Sequence, residues 1–343
     1  MHKPQAYGLF PQVLTIPPAL HKTGKCGTIK ERIGLCAGEG ISALYPIDAL
    51  CEQLSDLRIR RGVLMRTLTT FRLGGPADAV LFARAQEDVL RAVNACAELG
   101  IAHHIIGNGS NLIVRDGGIR GLVVVIGPDM ADIVREGDTV TAGAGIPVTE
   151  LSRRTVGMGL MGLEWACGIP GTLGGACAMN AGAYGGELSH VLKCVRVLEG
   201  GRIVELIAKP EEFGYRVSPF MAPERVVLSA TLSLTPDDGA AAERQEDYMR
   251  RRQAKQPLSY PSAGSVFKRP PGHFAGALIE SAGLKGARIG GAQVSELHAG
   301  FIVNLGDATA DDVLRLIDHV RARVREAHGV ELECEPRIWG ENN

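Results

Sequence analysis

Between Gly168 and Gly186 the chain reads Gly168-Ile-Pro-Gly-Thr-Leu-Gly-Gly-Ala-Cys-Ala-Met-Asn-Ala-Gly-Ala-Tyr-Gly-Gly186, seven glycines in nineteen residues. Glycine at this density in an apolar stretch calls for backbone with positive φ, or for main chain lying against a partner where a Cβ would intrude. Successive free amides in such a loop make concave anion sites, and Thr172 and Asn180 add side-chain hydrogen-bonding groups. The stretch reads as the wall of a site for a diphosphate-containing cofactor. A tight turn with a purely architectural role would use the same residues, and glycine richness alone divides the two readings about evenly.

A chain of 343 residues with 45% apolar content is long enough for two or three domains with sizeable cores. Its formal net charge of −1, with both signs interspersed, leaves no electrostatic footprint for nucleic acid or an anionic membrane, so the expected ligand is a small molecule. No two of its eight cysteines form a Cys-x-x-Cys pair, so neither a zinc site nor a redox dithiol is expected. The thiols read as reduced small hydrophobes, with Cys167 and Cys177 standing at the glycine loop. Met1 to Phe10 lacks the continuous apolar core of a secretory signal, and no stretch approaches the length of a membrane span, which places the expected location in the cytoplasm.

Residues 1–45 hold four prolines and no sustained periodicity, which predicts an irregular arm. Pro46 then opens a short helix with Ile47, Leu50, Leu54 and Leu57 on one face. Residues 46–127 alternate β-like runs with one helix, Gln86–Glu98, ended by Gly100. Residues 128–237 hold a strand pair, a helix over Val148–Val156, the glycine loop, and three further runs at Val191–Leu198, Arg202–Leu206 and Arg225–Leu234. The last block, 238–343, opens with a charged helix over Ala241–Lys255. It ends in the helix Ala310–His328, capped by Thr309, and a strand over Val330–Trp339.

Gly107-Asn-Gly-Ser-Asn111 joins strand to strand, whereas a Rossmann turn leads from strand to helix and carries a third glycine. Gly143-Ala-Gly145 fails the same test, and no loop ends in Gly-Lys-Ser/Thr. Three polar groups could carry chemistry. Arg216 stands beside Tyr215 in Gly214-Tyr-Arg-Val-Ser-Pro-Phe220, where a surface ion pair is the commoner role for such an arginine. Ser265 lies in Ala263-Gly-Ser-Val-Phe267, which is not a hydrolase elbow and in isolation is a turn serine. Glu333 and Glu335 share one side of the closing strand, where an inward carboxylate costs several kcal/mol unless it is paired or functional.

Taken in order, Thr69-Thr-Phe-Arg-Leu-Gly-Gly-Pro-Ala77, Gly107-Asn-Gly-Ser-Asn111, the Gly168–Gly186 loop, Tyr215-Arg-Val-Ser218, Gly264-Ser-Val-Phe-Lys268, Gly290-Gly-Ala-Gln-Val294 with His298, and Glu335-Pro-Arg-Ile338 resemble the UDP-N-acetylenolpyruvoylglucosamine reductases, flavoenzymes of peptidoglycan precursor synthesis. The resemblance covers roughly Arg58 to Gly340. It implies an α+β fold: a FAD-binding domain of the vanillyl-alcohol-oxidase (PCMH) type in two subdomains, and a carboxy-terminal α+β substrate domain. It further implies an NADPH-dependent reduction of UDP-N-acetylglucosamine enolpyruvate to UDP-N-acetylmuramate through FAD.

Residue by residue, the resemblance implies a proton donor at Ser265 and a carboxylate-polarising pair at Arg216 and Glu335. The FAD contacts fall on Arg72, Gly107, Asn108, Gly109, Ser110, Asn111, Gly143, Gly145, Gly168, Ile169, Gly171, Thr172, Gly174, Gly175 and Asn180. Tyr215, Lys268, Gln293 and His298 fall near the nucleotide-sugar, no metal is implied, and a monomer is expected. Two positions depart from the usual family pattern: Arg269 replaces asparagine, and Pro336 follows the glutamate where valine is usual. Only 49 positions separate Arg216 from Ser265, which resembles the short form of the family, lacking an inserted loop whose tyrosine closes over substrate. The rival readings are an oxidase or dehydrogenase of the same FAD fold acting on an alcohol or hydroxy acid, and a non-catalytic flavin or nucleotide-sugar binding protein.

Overall fold

The computed structural model describes residues 46–342, so the arm expected over 1–45, with Cys26 and Cys36, lies outside the described residues. Helix α1, Pro46–Gln53, buries Leu50 and is followed by the buried Leu54 and Leu57. Strands β1 (Ile59–Leu64), β2 (Pro76–Ala83), β3 (His103–Ile106) and β5 (Ile119–Ile126) form one sheet in the order β1-β2-β5-β3, with helix α2, Gln86–Leu99, crossing between β2 and β3. Both faces of the sheet are covered, as the apolar runs of β2 and β5 require. Ala79, Leu81, Leu122 and Val124 face one way, into the core shared with α1 and α2, while Val80 and Val123 face the other, toward Met65, Ile106 and Val114.

The second sheet is wholly antiparallel. It runs β9-β8-β10-β7-β6, with β6 Ile133–Glu136, β7 Thr139–Gly143, β8 Leu192–Glu199, β9 Arg202–Ile207 and β10 Val226–Ser233. Helix α3, Val148–Gly157, follows β7. Helix α4, Leu173–Met179, lies inside the glycine loop and packs on β10. No periodicity announces α4, because Gly174 and Gly175 sit in its first turn; at Gly174 a Cβ would come within 3.0 Å of the Ala144 side chain. The first two sheets share one continuous core, which runs from Leu50 and Ala92 through Ala142 and Leu173 to Leu232.

Helix α5, Ala241–Lys255, falls in the last block of the sequence but packs on the second sheet's side of the molecule. Arg244 pairs with Glu164 at 2.7 Å, and the Gln245 amide donates to Ser152 Oγ at 2.8 Å. We place the start of the third unit after this helix. That unit comprises α6 (Ala275–Ser281), a small sheet of β11 (Arg288–Ile289), β12 (Ala292–Val294) and β13 (Ile302–Asn304), and α7 (Ala310–His328). Helix α7 begins with a reciprocal capping box between Thr309 and Asp312 and ends at Gly329 in the left-handed conformation.

The third unit is stitched to the first. Phe71, Leu73 and Ile113 sit in its core, Asn304 Nδ2 donates to Phe71 O at 3.1 Å, and Asp116 accepts from the Ala310 amide at 3.1 Å. The closing strand is shorter than the sequence predicts. Only β14, Arg337–Trp339, forms a ladder, and it pairs in parallel with β4, Leu112–Val114, of the first unit. Before it the chain makes one bridge, Phe267 to Cys334, and Pro336 has no amide with which to extend a ladder. No described helix is long and apolar enough to cross a membrane, and among the described residues no cluster of His, Cys, Asp and Glu could hold a metal ion.

His103 and His104 open β3, the His104 ring lying 5.1 Å from Trp339 of β14, and burial holds both imidazoles below their ordinary pKa. The folded protein keeps them neutral, while the unfolded chain takes up protons as pH falls through about 6.5; stability should therefore decline on acidification through that range. In thermal melts from pH 7.5 down to 5.5, a His103→Gln/His104→Gln variant should lose fewer degrees than the parent. Parallel slopes would show that these rings do not carry the effect.

Candidate active site

Two loops face each other at the junction of the first two sheets. Gly107–Asn111 leaves β3, and Gly168–Thr172 leads into α4. They touch: Asn108 Nδ2 donates to Pro170 O at 2.9 Å, and a Cβ on Gly107 would stand 2.0 Å from Thr172 Oγ1. Gly109 takes φ of 59°, with Leu68 O where a Cβ would go. Among the described residues no acceptor takes the amide hydrogens of Asn108, Gly109, Ser110, Asn111, Gly171 or Thr172. Unpaired amides from two adjoining loops, with glycine where side chains would collide, make a cradle that fits the phosphates of a dinucleotide.

Several residues singled out in the sequence have other surroundings. The Gly143 amide donates to Asp132 O at 2.8 Å and the Gly145 amide to Met130 O at 2.9 Å. A Cβ on either would strike backbone carbonyls at 2.2 and 1.8 Å, so these two glycines admit the connection between β5 and β6 and offer no amide to a ligand. Gly174 likewise spends its amide on Ala144 O at 2.9 Å. Gly175 is exposed, Gly168 carries the Arg252 side chain across its Cα, and the Ile169 amide bonds back to Ala166 O. Arg72 is exposed at φ of 56°. Asn180 is buried, with both ends of its side-chain amide taken within the chain: Nδ2 donates to Gly214 O at 3.1 Å, and Oδ1 accepts from the Ser189 amide at 3.0 Å.

The three candidate reacting residues come together from distant parts of the chain. Arg216 occupies a tight turn in which Gly214 and Val217 exchange both hydrogen bonds at 3.0 Å, and it takes φ of 58°, a position that ordinarily favours glycine. Its Nε donates to Glu335 Oε1 at 2.6 Å, and both side chains are largely buried. Glu335 is fixed from both sides: its amide donates to Val266 O at 2.8 Å, next to Ser265, and its carbonyl accepts from Asn111 Nδ2 at 3.4 Å. Arg337 N then donates to Asn111 O at 2.9 Å, so the first phosphate-type loop ends on the segment carrying Glu335. Ser265 is exposed, bridging Phe301 through its backbone, and its hydroxyl has no partner among the described residues.

Glu333, the other carboxylate of the closing segment, is exposed and pairs with Lys268. The sequence gives the two glutamates the same side and does not separate their partners. Tyr215 lies under the Arg216 guanidinium at 5.0 Å and accepts from the Arg269 amide at 3.3 Å; Arg269 in turn covers the Phe274 ring at 4.5 Å. Tyr215 and Lys268 therefore stand beside the Arg216 cluster. His298 lies one layer behind Ser265, its ring edge-on to Phe301 at 5.0 Å, and burial lowers its pKa. Gln293 is turned into its own unit, donating to Gly286 O at 3.3 Å. The ties made by Ser218, Asn304 and Asp116 have no signature in sequence, because their partners lie 40 to 233 residues away.

Comparison with known proteins agrees with this geometry. Residues 77–207 match the family described as FAD binding domain, and residues 256–339 match the family described as UDP-N-acetylenolpyruvoylglucosamine reductase, C-terminal domain. The UDP-N-acetylenolpyruvoylglucosamine reductase of Clostridium botulinum (strain Hall) is 48% identical over 281 residues, which cover 81% of this chain and 92% of that protein. UDP-N-acetylenolpyruvoylglucosamine reductase 2 of Symbiobacterium thermophilum is 46% identical over 287 residues, 83% and 93% of the two chains. The crystal structure of the reductase from Thermus caldophilus matches with a TM-score of 0.72 at 36% identity, covering 83% of this chain and all of that one. The fold is α+β, with a FAD-binding domain of the vanillyl-alcohol-oxidase type followed by the reductase carboxy-terminal domain. With a structural match over 83% of this chain and 48% identity over 281 residues to a curated enzyme, the chain belongs to the UDP-N-acetylenolpyruvoylglucosamine reductase family of FAD-dependent oxidoreductases.

Proposed function

We propose that this protein reduces the enolpyruvyl ether of UDP-N-acetylglucosamine enolpyruvate to UDP-N-acetylmuramate, taking its electrons from NADPH. The observation that carries the reading is the Arg216–Glu335 pair, formed across 119 residues beside Ser265 and against the end of the Gly107–Asn111 loop. The amides of residues 108–111, Gly171 and Thr172 would hold the cofactor diphosphate. Bound FAD supplies a two-electron carrier between nicotinamide and substrate.

Each of the chain's own residues then has a defined task. Hydride addition to one carbon of the enol ether drives negative charge toward the substrate carboxylate, where a preorganised cation lowers the barrier. Arg216 gives only Nε to Glu335, leaving the other N–H donors of its fork for that carboxylate. Glu335 orients the fork and balances its charge. The free hydroxyl of Ser265 is the proton source for the adjacent carbon. A serine is a weak acid, so it works only against the strongly basic centre that this addition creates. Tyr215 and Lys268 would receive the nucleotide, Lys268 exchanging Glu333 for phosphate, with His298 behind Ser265 and Gln293 turned away into its own unit.

Three outcomes are expected. The purified protein should show the absorbance of oxidised flavin and bleach with NADPH; flavin that survives acid precipitation attached to protein and ignores NADPH would point to the rival oxidase. In stopped-flow, Ser265→Ala should leave flavin reduction by NADPH near the parent rate and slow reoxidation by the enolpyruvyl substrate by about a hundredfold or more, the usual worth of a positioned proton donor. Equal slowing of both halves would make Ser265 structural. Gly107→Ala, whose Cβ would meet Thr172 Oγ1 at 2.0 Å, should weaken FAD binding in titration of the apoprotein. Overpacking of this kind corresponds to about tenfold to a hundredfold; unchanged affinity would remove this loop from the cofactor site.

A further inference from the structure

The helix that grows out of the second glycine loop ends directly beneath the turn that carries Arg216. Asn180 closes α4 in the left-handed conformation, φ 40°, is 1% exposed, and donates from Nδ2 to Gly214 O at 3.1 Å, the first residue of the turn. Two residues earlier, Ala178 O accepts from Ser218 Oγ at 2.8 Å, on the other flank. Both ends of the Gly214–Ser218 segment are therefore fastened to the last turn of α4, and the Oδ1 of Asn180 is anchored in turn by the Ser189 amide at 3.0 Å. Between the two fastenings Arg216 holds a positive φ that a long side chain adopts only when its surroundings impose it. Released from the strut, the turn is free to relax toward negative φ, and the guanidinium swings away from Glu335.

From this we infer that Asn180 is a positioning residue for the reduction, holding Arg216 aimed at the substrate carboxylate, and does not itself hold cofactor. The inference rests on the role proposed above for Arg216. It also makes α4 a rigid spacer between the loop that receives phosphate and the cation that receives substrate, so the two sites keep a fixed separation.

The test uses the FAD-loaded enzyme and separates its two half-reactions. Asn180→Asp keeps the shape, the tolerance for positive φ and the acceptor toward Ser189, and replaces the donor toward Gly214 with a carboxylate oxygen that repels the Gly214 carbonyl and adds a buried charge. It should retain FAD and be reduced by NADPH within about twofold of the parent, while reoxidation by the enolpyruvyl substrate slows about a hundredfold, the effect of displacing a catalytic group by about 1 Å. Combined with Arg216→Lys it should be no slower than the slower single variant, because the aim of Arg216 can be lost only once. Ser218→Ala, which frees the other flank and also removes the Ser218 Oγ acceptor of the Phe220 amide, should slow the same half-reaction to a smaller degree, and it answers the question if Asn180→Asp does not fold. Loss of FAD from Asn180→Asp, equal slowing of both half-reactions, or full additivity with Arg216→Lys overturns the inference. If Arg216→Lys slows reoxidation and neither Asn180→Asp nor Ser218→Ala does, the inference fails and the function stands; if Arg216→Lys changes nothing, both fail together.

Discussion

Three residues of parallel strand pairing, Arg337–Trp339 against Leu112–Val114, hold the active-site arrangement together. β14 comes from the last residues of the chain and β4 from the first unit, so the pairing draws the carboxy-terminal segment back over the junction of the sheets. Three hydrogen-bonded residues are a weak ladder alone. They are reinforced because Ile113 also enters the third unit's core with Phe71 and Leu73, and because Asp116 of the first unit takes the amide hydrogens at the start of α7. A carboxylate near a helix N-terminus is worth on the order of 1 kcal/mol, and three buried apolar side chains contribute several more. Glu335, two residues ahead of β14, inherits its place from these contacts.

The same pairing explains why cofactor loop and substrate residues share one site. Asn111 ends the Gly107–Asn111 loop and begins the approach to β4. It accepts from Arg337 N and reaches Glu335 O through Nδ2, so the two segments cannot move independently. The other loop meets Arg216 through α4. Phosphate-type amides and reacting side chains are thus connected by hydrogen bonds of 2.8 to 3.4 Å rather than by a flexible linker. Positioning of this kind supplies much of what an enzyme adds to a hydride and proton transfer, since a static misplacement of about 1 Å costs about a hundredfold in rate.

Elements with strong local signals were legible in the sequence. α2, α3, α5 and α7 begin at the residues the periodicity names, and the strand runs of the first two sheets lie within a few residues of the ladders. What escaped was set by contacts distant in sequence. β1, with its Ile-Arg-Arg-Gly-Val-Leu pattern, is a strand because β2 offers an open edge, and α4 is a helix despite two glycines because Gly174 lets it sit on Ala144. The Gly143 and Gly145 pair shows the limit of reading glycine: the backbone they admit belongs to the chain's own Gly127–Asp132 segment, where a cofactor had been expected. Sequence order could name Arg216, Ser265 and Glu335 as a set only through resemblance, and nothing local distinguishes Glu335 from Glu333.

The Arg216–Glu335 pair is poorly explained as a stabilising device. Desolvating both groups opposes their attraction, and an apolar pair of similar volume would serve a core at least as well. The arginine also sits at a turn position with φ of 58°, which disfavours a side chain by roughly 1 to 3 kcal/mol relative to an unstrained residue. A turn glycine would remove that strain, and a surface arginine would avoid the desolvation. The chain does neither, and holds the turn from below through two side chains while fixing the Glu335 backbone from both sides, at Val266 and Asn111. Strain and desolvation maintained together at one residue indicate that the direction of its guanidinium matters more than its contribution to the fold. That direction is toward Glu335, whose own backbone is held by Val266 and Asn111.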